Sequence, residues 1–455
     1  MKNILRKRIL SLTICAAIFA FVCLSGCRVE VKESEAKPSA SENLQKIVLT
    51  ISGVGLGFPP ENQSDEEMLA SFEKNSGARI VISQTAHTNN AQTYLSYLKL
   101  LDHSASLPDI IIFPSLSAIF EKLILCDITD MIAAEQDWKE IPIPLQKAVT
   151  TAENIFAVPL RYSLEGYFIN QDLFQKENLS VPSFGFTFNH FTQSIQKLTT
   201  NKQIIPLSDF YDIPLWYPFT KEDSTVWGAY GKNGFDLESK LFSTGIHYAR
   251  ELKNKCNSDA DAANLPSYSP EAAEAQWKSG KTAFLYESTQ NLSDINTDTF
   301  TGSFIGIPGK TSVIDASYIG ITPNAAHKKE AFALIKWLSF SSDGVKKRLS
   351  SAGNPMTNQI PLTQNNNLMQ QFLKQCNYKG IAEALEQINQ AVVKGDDYLP
   401  QYDSIMFQTK YHLSDSQESY SLEKILQMAI DGKLSYAEVS KELNRLVHRK
   451  EDSST

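Results

Sequence analysis

Aromatic side chains are concentrated in one stretch of the chain whose other residues are typical of a loop. Residues 206–219 read PLSDFYDIPLWYPF and contain Trp216 and Tyr217 between prolines, and Trp227 and Tyr230 follow shortly afterwards. Flat rings of this kind pack against the C–H faces of polyols or sugars, and a stacked ring contributes about 0.5–1.5 kcal/mol beyond the area it buries. The prolines favour a rigid loop that presents Trp216. The alternative is that these rings belong to a hydrophobic core.

A second group of side chains could contact such a ligand, the polar ones by hydrogen bonds to its hydroxyls and Phe58 through its ring. Its members lie in loops, at strand ends, or in a polar interruption of an apolar stretch. They are Arg161, Tyr162, Tyr286, Glu287, Asp315, Phe58 and Glu61. For Arg161 the alternative is a surface salt bridge, and for the acidic residues it is a solvated position facing water.

Catalytic motifs are missing from the sequence. The seven histidines are scattered, and none lies in an H-E-x-x-H arrangement; there is also no G-x-S-x-G elbow and no P-loop. Asp396-Asp397 or Asp209 with Asp212 could be the paired carboxylates of a secreted glycosidase, but spacing in sequence does not give the separation that this chemistry needs. We therefore expect no enzyme activity, no cofactor and no metal.

The elements that would position these side chains alternate between strands and helices. Strands are predicted at 47–51, 78–83 and 108–114, with a helix opened by the capping box at Ser64 and another over 92–101. This alternation predicts an α/β fold with a mostly parallel sheet, in which ligands lie beyond the carboxyl ends of the strands.

Residues 154–174, NIFAVPLRYSLEGYFINQDLF, connect two such units. We expect two short apolar strands joined by the polar residues 161–163, because Pro159 and Gly166 do not suit a helix interior. The segment is therefore predicted to be extended chain that passes from one packed unit into another. A length of 455 residues also favours two lobes rather than one core.

The N-terminus has the pattern of an export signal. Lys2, Arg6, Lys7 and Arg8 precede an apolar run that ends in Leu24-Ser25-Gly26-Cys27, which resembles the lipobox of bacterial lipoproteins. That resemblance implies cleavage before Cys27 and attachment of a lipid to its sulfur. A transmembrane anchor is the alternative, although about 16 apolar residues are few for a span. Residues 27–43 are charged and rich in serine, as expected of a flexible tether.

The net charge argues against a nucleic-acid-binding protein, and the cysteine spacing argues against a disulfide framework or a zinc site. Removal of residues 1–26, which hold four of the 43 basic and none of the 51 acidic residues, changes the net charge from −8 to −12. A chain without a basic surplus is not expected to bind nucleic acid. Cys126, Cys256 and Cys376 lack the spacing of a disulfide framework or a zinc site and are expected to be packing residues.

Motifs in order along the chain resemble the extracellular solute-binding proteins of bacterial ABC importers, in particular the family of maltose-binding and other sugar-binding proteins. The resemblance covers about residues 45–447. Its motifs are 154–159 (NIFAVP), 168–174 (FINQDLF), Pro182 with Thr187, Phe188 and Phe191, 277–283 (WKSGKTA), 307–309 (IPG), 329–339 (KEAFALIKWLS), 353–355 (GNP) and the final helix pair.

The resemblance implies a two-lobed binding-protein fold of type II, in which each lobe is a mostly parallel sheet flanked by helices. It implies a signal peptide at 1–26, a tether at 27–43, lobe 1 at 44–159 and 310–352, and lobe 2 at 160–309 and 353–455. Residues 161–163 would lie at the hinge facing the cleft, and residues 308–317 would form the return crossing.

The same resemblance implies that a monomer held on the outer face of the cell membrane by its lipid captures a carbohydrate, most simply an oligosaccharide. It would deliver that ligand to permease subunits, and through them to a cytoplasmic ATPase. Alternatives are a lipoprotein that senses its ligand for a membrane kinase, a binder of a polyol, sugar phosphate or peptide, and, more remotely, a secreted glycosidase.

Overall fold

The computed structural model describes residues 47–53, 63–82, 107–116, 125–221, 227–231, 234–256, 270–309, 311–351, 360–376, 378–414 and 416–452. Every structural statement below concerns these residues. The predictions for Cys27, the tether, Phe58, Glu61 and the helix over 92–101 fall outside them.

Strands and helices alternate through the first part of the chain, and helices dominate the last part. The strands are β1 Val48–Gly53, β2 Arg79–Ile82, β3 Ile110–Phe113, β4 Thr150–Thr151, β5 Asn154–Ile155, β6 Ala157–Asn170, β7 Ile205–Leu207, β8 Tyr230–Gly231, β9 Gly234–Phe235, β10 Thr282–Ser288, β11 Gly302–Gly306, β12 Val313–Ile321, β13 Val392–Val393, β14 Lys410–His412 and β15 Ser419–Ser421. The α-helices are α1 Gln63–Ser76, α2 Thr129–Ala133, α3 Ile143–Ala148, α4 Gln171–Lys176, α5 Phe188–Leu198, α6 Ile213–Trp216, α7 Lys240–Cys256, α8 Pro270–Lys278, α9 Leu292–Ile295, α10 Lys328–Leu338, α11 Ser342–Ser350, α12 Asn366–Gln375, α13 Ile381–Glu386, α14 Gly395–Tyr398, α15 Leu422–Ile430 and α16 Tyr436–Asp452.

One sheet of nine strands runs through the molecule. Seven strands follow the order β2-β1-β3-β12-β6-β10-β7, while β11 pairs with β6 and β13 pairs with β12. The pairs β1–β2, β1–β3, β7–β10 and β12–β13 are parallel. The pairs of β6 with β10, β11 and β12, and of β3 with β12, are antiparallel. The α/β fold is thus confirmed, with antiparallel pairing where the long strands meet their neighbours.

Buried side chains form two hydrophobic cores. The first core contains Ile51 of β1, Ile111 of β3 and Phe332 of α10. The second core contains Phe191 of α5 and Ile246 of α7, together with residues of α15 and α16. Residues 360–391 contribute to the first core. Because one continuous sheet joins both cores, the lobe boundaries drawn from the sequence stay a prediction.

Strand β6 connects the two cores without interruption. Its Leu160 and Leu164 lie in the first core, and its Tyr167 and Ile169 lie in the second. The prediction of two short strands joined at 161–163 was wrong, because all 14 residues from Ala157 to Asn170 are one strand. The expectation that extended chain passes from one packed unit to the other is confirmed.

Local sequence signals fix several helix ends. Thr187 caps α5 by accepting a hydrogen bond from the His190 backbone N–H at 3.1 Å. Asn170 ends β6 and caps α4 in the same way.

None of Cys126, Cys256 and Cys376 forms a disulfide. Within the described ranges no helix combines the length and the apolar composition needed to cross a membrane.

Candidate functional site

Three strands lie side by side where the chain passes between the two cores. Strand β6 pairs with β12 from Glu165 opposite Val313 to Ala157 opposite Gly320. On its other side β6 pairs with β10, which ends with Ser288 opposite Glu165. At Glu165 the order across the sheet is therefore Val313, Glu165 and Ser288.

The middle of β6 alternates between polar and apolar residues. Leu160, Tyr162 and Leu164 are buried in the first core, so Arg161, Ser163 and Glu165 point to the opposite face of the strand. Residues directly opposite each other in an antiparallel pair share a face. Asp315, opposite Ser163, and Ser288, opposite Glu165, consequently lie on that same face.

We call Ser163, Glu165, Ser288 and Asp315 the polar face. The Ser288 hydroxyl donates to the Ser163 hydroxyl at 2.9 Å. Lys394, which follows β13, donates to Glu165 at 3.2 Å. Asp315 is half-buried and makes no side-chain hydrogen bond or ion pair within the described part of the chain. Its carboxylate is therefore available to a ligand.

Asp209 and Asp212 follow β7, and Asp212 interacts electrostatically with Glu165 of the polar face. Burial raises the pKa of Asp212 well above its usual range, and the negative charges of Asp209 and Glu165 raise it further while Lys394 opposes them. Burial also raises the pKa of Tyr286, and the charges of Glu165 and Asp212 add to that effect. A carboxyl group that stays protonated can donate a hydrogen bond, which a carboxylate cannot do.

Hydrogen bonds within the loop, and others to Asp431 near the end of α15, hold the loop that carries these aspartates. Both oxygens of the buried Asp209 accept backbone N–H groups, those of Tyr211 at 3.1 Å and Asp212 at 3.2 Å. The Tyr211 hydroxyl donates to Asp431 at 2.8 Å, and Lys253 pairs with Asp431 as well.

In the described ranges no group of three or more His, Cys, Asp or Glu side chains could hold a metal ion.

A cavity of about 920 Å³ lies beside β13. Its walls come from α3, from the segment after α6, from the turn between β11 and β12, and from residues 389–393. Val392 and Val393 line it, and the next residue, Lys394, pairs with Glu165 of the polar face. The cavity and the polar face thus adjoin at β13. The volume lies within the range of about 300–1,000 Å³ that is common for small-molecule sites.

The aromatic residues singled out from the sequence lie mostly inside the second core. Trp216 has no exposed surface and Trp227 is 2% exposed. Tyr217 is buried with its ring 5.2 Å from that of Phe188, and Tyr230 is half-buried with its ring 5.0 Å from that of Phe235.

The prediction of a loop at Trp216 was wrong, since residues 213–216 form the short helix α6. Pro214 occupies the first turn of that helix, where a proline is favourable rather than disruptive. The proline that suggested a rigid loop therefore marks a helix start. The roles of Trp216, Tyr217, Trp227 and Tyr230 in ligand binding stay predictions, and the burial of Trp216 favours the core alternative.

The remaining predicted site residues have different surroundings. Asp315 and Tyr286 lie in the region of the polar face, but Tyr162 points away from it into the first core. Arg161 donates to the buried Asp65 at 2.7 Å, which is a salt bridge as considered above, though a buried one. Glu287 accepts from the Ser288 backbone N–H and from Asn291, so it stabilises the turn after β10.

Sequence reasoning missed Glu165, Ser288 and Lys394 as site residues. The alternation of polar and apolar residues over 160–165 is the signal that could have identified Glu165 together with Ser163. Ser288 and Lys394 carry no comparable local signal, because only the pairing of β10 with β6 and of β13 with β12 brings them near Glu165.

Comparison with known proteins gives a family and a fold. A family model described as "Bacterial extracellular solute-binding protein" matches residues 67–372, which is more than half of the chain. No curated protein is similar enough in sequence to match.

Solved structures cover most of the chain at low sequence identity. An ABC substrate-binding protein from Listeria monocytogenes in complex with cycloalternan has a TM-score of 0.64 and 17% identity, over 90% of this chain and 99% of its own. A sugar transporter from Rhizobium etli in an open conformation has a TM-score of 0.66 and 15% identity, over 88% and 99%. The sugar-binding protein MalE from Xanthomonas citri has a TM-score of 0.64 and 12% identity, over 88% and 96%. At sequence identities this low, the structural similarity shows a shared fold and nothing about the ligand of this chain.

Proposed function

The chain belongs to the family of bacterial extracellular solute-binding proteins, and we propose that it captures a carbohydrate, most simply an oligosaccharide, for delivery to the permease of an ABC importer. The ligand would bind between the two lobes, against the polar face and the adjoining cavity. Closure of the lobes would accompany binding, because a ligand shifts a hinge equilibrium toward the conformation it contacts better.

The observation that carries this proposal is the polar face on strands that connect the two cores. Its hydroxyl and carboxylate groups match the hydrogen-bonding needs of sugar hydroxyls, and the unpaired Asp315 carboxylate can accept from two of them. Two of the fold relatives are described as a complex with cycloalternan and as a sugar-binding protein, which supports the same ligand class.

We expect neutral oligosaccharides to stabilise the purified protein against heat. A ligand at a hundred times its Kd adds about 2.7 kcal/mol to the stability of the native state, which a thermal-shift panel of glycans detects. We further expect Asp315→Asn to weaken the binding of the best glycan by about 10- to 100-fold, because a hydrogen bond to a charged group contributes about 1.5–3 kcal/mol.

Asp298→Asn is the matched control, because Asp298 is an exposed aspartate outside the polar face. It should leave both the affinity and the melting temperature unchanged. A protein stabilised by amino acids or peptides but by no glycan would refute the carbohydrate class. Unchanged glycan affinity in Asp315→Asn would remove Asp315 from the site.

We also propose that the mature protein is anchored to the membrane by a lipid on Cys27, as the lipobox and the charged tether suggest. The mature N-terminal peptide should begin at Cys27 with a mass that includes diacylglycerol. Cys27→Ala should release the protein from the membrane fraction into the medium, because the variant lacks the thiol that carries the lipid. An unmodified N-terminal residue in the wild type, or unchanged membrane retention in Cys27→Ala, would contradict this proposal.

Sensing for a membrane kinase remains the alternative to transport, and permease and ATPase genes next to the gene of this protein would favour transport. A polyol, sugar phosphate or peptide remains the alternative ligand. For the glycosidase alternative, Asp209 and Asp212 lie on one loop, where the Asp212 backbone N–H donates to Asp209. Paired catalytic carboxylates instead flank the bond that is cleaved, so this arrangement supports binding rather than hydrolysis.

A further inference from the structure

The cavity beside β13 differs in charge from the rest of the protein. The chain has more acidic than basic residues, 51 against 43, whereas the 16 described residues that line this cavity include no Asp or Glu. The charged members of this described lining are Lys147 and Lys221. A site with this lining attracts anions locally although the whole chain repels them.

The two lysines reach the cavity from different parts of the fold. Lys147 is exposed in the last turn of α3, which precedes β6. Lys221 lies beyond α6, and its ammonium group is 4.0 Å from the centre of the Phe188 ring and 5.3 Å from that of Tyr217. The two aromatic rings hold Lys221 at this position by cation–π contacts.

Neither lysine forms an ion pair with a carboxylate within the described ranges, whereas Lys394 is paired with Glu165. Lys221 is exposed as a residue, but partial desolvation of its ammonium group lowers its pKa. An anion bound in the cavity would restore favourable interactions to this ammonium group.

We propose that the cavity binds the anionic group of an acidic carbohydrate, a carboxylate or a phosphate ester, between Lys147 and Lys221. The proposal rests on the function proposed above and narrows its ligand class. Ile143, Pro144, Phe219 and Pro308 supply apolar wall against which a sugar ring can pack. The hydroxyl-rich part of the ligand then extends toward the polar face, whose carboxylates would repel the anionic end and so fix the orientation.

Calorimetry at low ionic strength with three probes of similar size tests the proposal. The probes are trigalacturonate for a carboxylate, maltotriose 6-phosphate for a phosphate ester, and maltotriose as the neutral comparison. We expect at least one anionic probe to bind about tenfold or more tighter than maltotriose, and to weaken as salt is added. The better of the two identifies which anionic group the cavity prefers.

The variant Lys147→Gln/Lys221→Gln should lose that preference, so that it binds the anionic probe and maltotriose with about equal affinity. Lys221→Arg, which keeps the positive charge over the two rings, should retain the preference and shows that a loss is not due to misfolding. Lys176→Gln/Lys197→Gln removes two exposed lysines from the last turns of α4 and α5 and is the matched control.

The outcomes separate this inference from the function on which it rests. Binding of maltotriose without any preference for the anionic probes overturns the inference and leaves carbohydrate binding intact. A preference that survives in Lys147→Gln/Lys221→Gln also overturns it, because the anion then binds elsewhere. Failure of all three probes, together with failure of the wider glycan panel, overturns both.

Discussion

Trp216→Ala is expected to lower the free energy of unfolding of the unliganded protein by about 3–5 kcal/mol, the usual cost of deleting a large buried aromatic side chain. Trp216 has no exposed surface, and its ring lies 6.0 Å from Tyr167 and 6.1 Å from Phe191 in edge-to-face geometry. Urea denaturation of the apo protein measures the change, and a sharp fall in the melting temperature should accompany it.

The same variant decides between the two roles considered for Trp216. A stacking platform predicts that binding falls by about 1–3 kcal/mol while apo stability hardly changes. A core residue predicts a destabilised protein that still binds at wild-type affinity once folded. Trp216→Phe is the control, because it keeps an aromatic ring in the second core and should recover most of the lost stability. An apo protein of wild-type stability would contradict the core role.

Local signals predicted the elements well because their causes are local. The Thr187 cap and the apolar spacing after it fix α5 from within about ten residues, and the hydrogen bond to His190 confirms the cap. The strands β1, β2 and β3 were likewise predictable from short apolar runs. These features need no knowledge of the rest of the fold.

Trp216 could not be assigned from its neighbours because its environment is tertiary. The sequence IPLWYPF suits either a rigid loop or a short proline-started helix, and the choice depends on whether Tyr167 and Phe191 cover the ring. Those residues lie on β6 and α5, far away in sequence. Aromatic content therefore indicated a ring-rich region without indicating which rings are accessible.

The polar face was only partly predictable, because the alternation along β6 is a local feature whereas the register between strands is not. Alternation along 160–165 shows that Ser163 and Glu165 share a face, because side chains alternate along every strand. The register of β6 against β10 and β12 brings Ser288 and Asp315 to that face. Register depends on contacts more than a hundred residues apart, so it cannot be obtained from a single segment.

Asp65→Asn is expected to destabilise the protein by about 3–5 kcal/mol at neutral pH, because it leaves two largely but not fully buried guanidinium groups without their shared counter-charge. The side chain of Asp65, in the first turn of α1, has no exposed surface. It accepts from Arg161 of β6 at 2.7 Å and from Arg348 of α11 at 2.8 Å. The loss would loosen β6 from the first core just before the polar face.

Asp343→Asn is the matched control for this change. Asp343 pairs with Lys346 at 3.3 Å on the surface of α11, and its side chain is 82% exposed. Exposed pairs of this kind contribute about 0–1 kcal/mol, so this variant should unfold close to the wild-type denaturant midpoint. Equal effects of the two substitutions would show that burial of Asp65 adds nothing to its ion pairs.

The dependence on pH distinguishes loss of the charge from a mere packing defect. Burial alone would raise the pKa of Asp65, but the positive charges of Arg161 and Arg348 and the hydrogen bonds they donate outweigh it, so the pKa lies below its ordinary value. A carboxylate of this kind stabilises the fold above its unfolded-state pKa, and the stabilisation disappears as the pH falls through the folded-state pKa. The stability difference between wild type and Asp65→Asn should therefore be largest at neutral pH and shrink below about pH 4. Denaturation curves of both proteins between pH 7 and pH 3 measure it, and a difference that stays constant over this range would assign the effect of Asp65 to packing instead of charge.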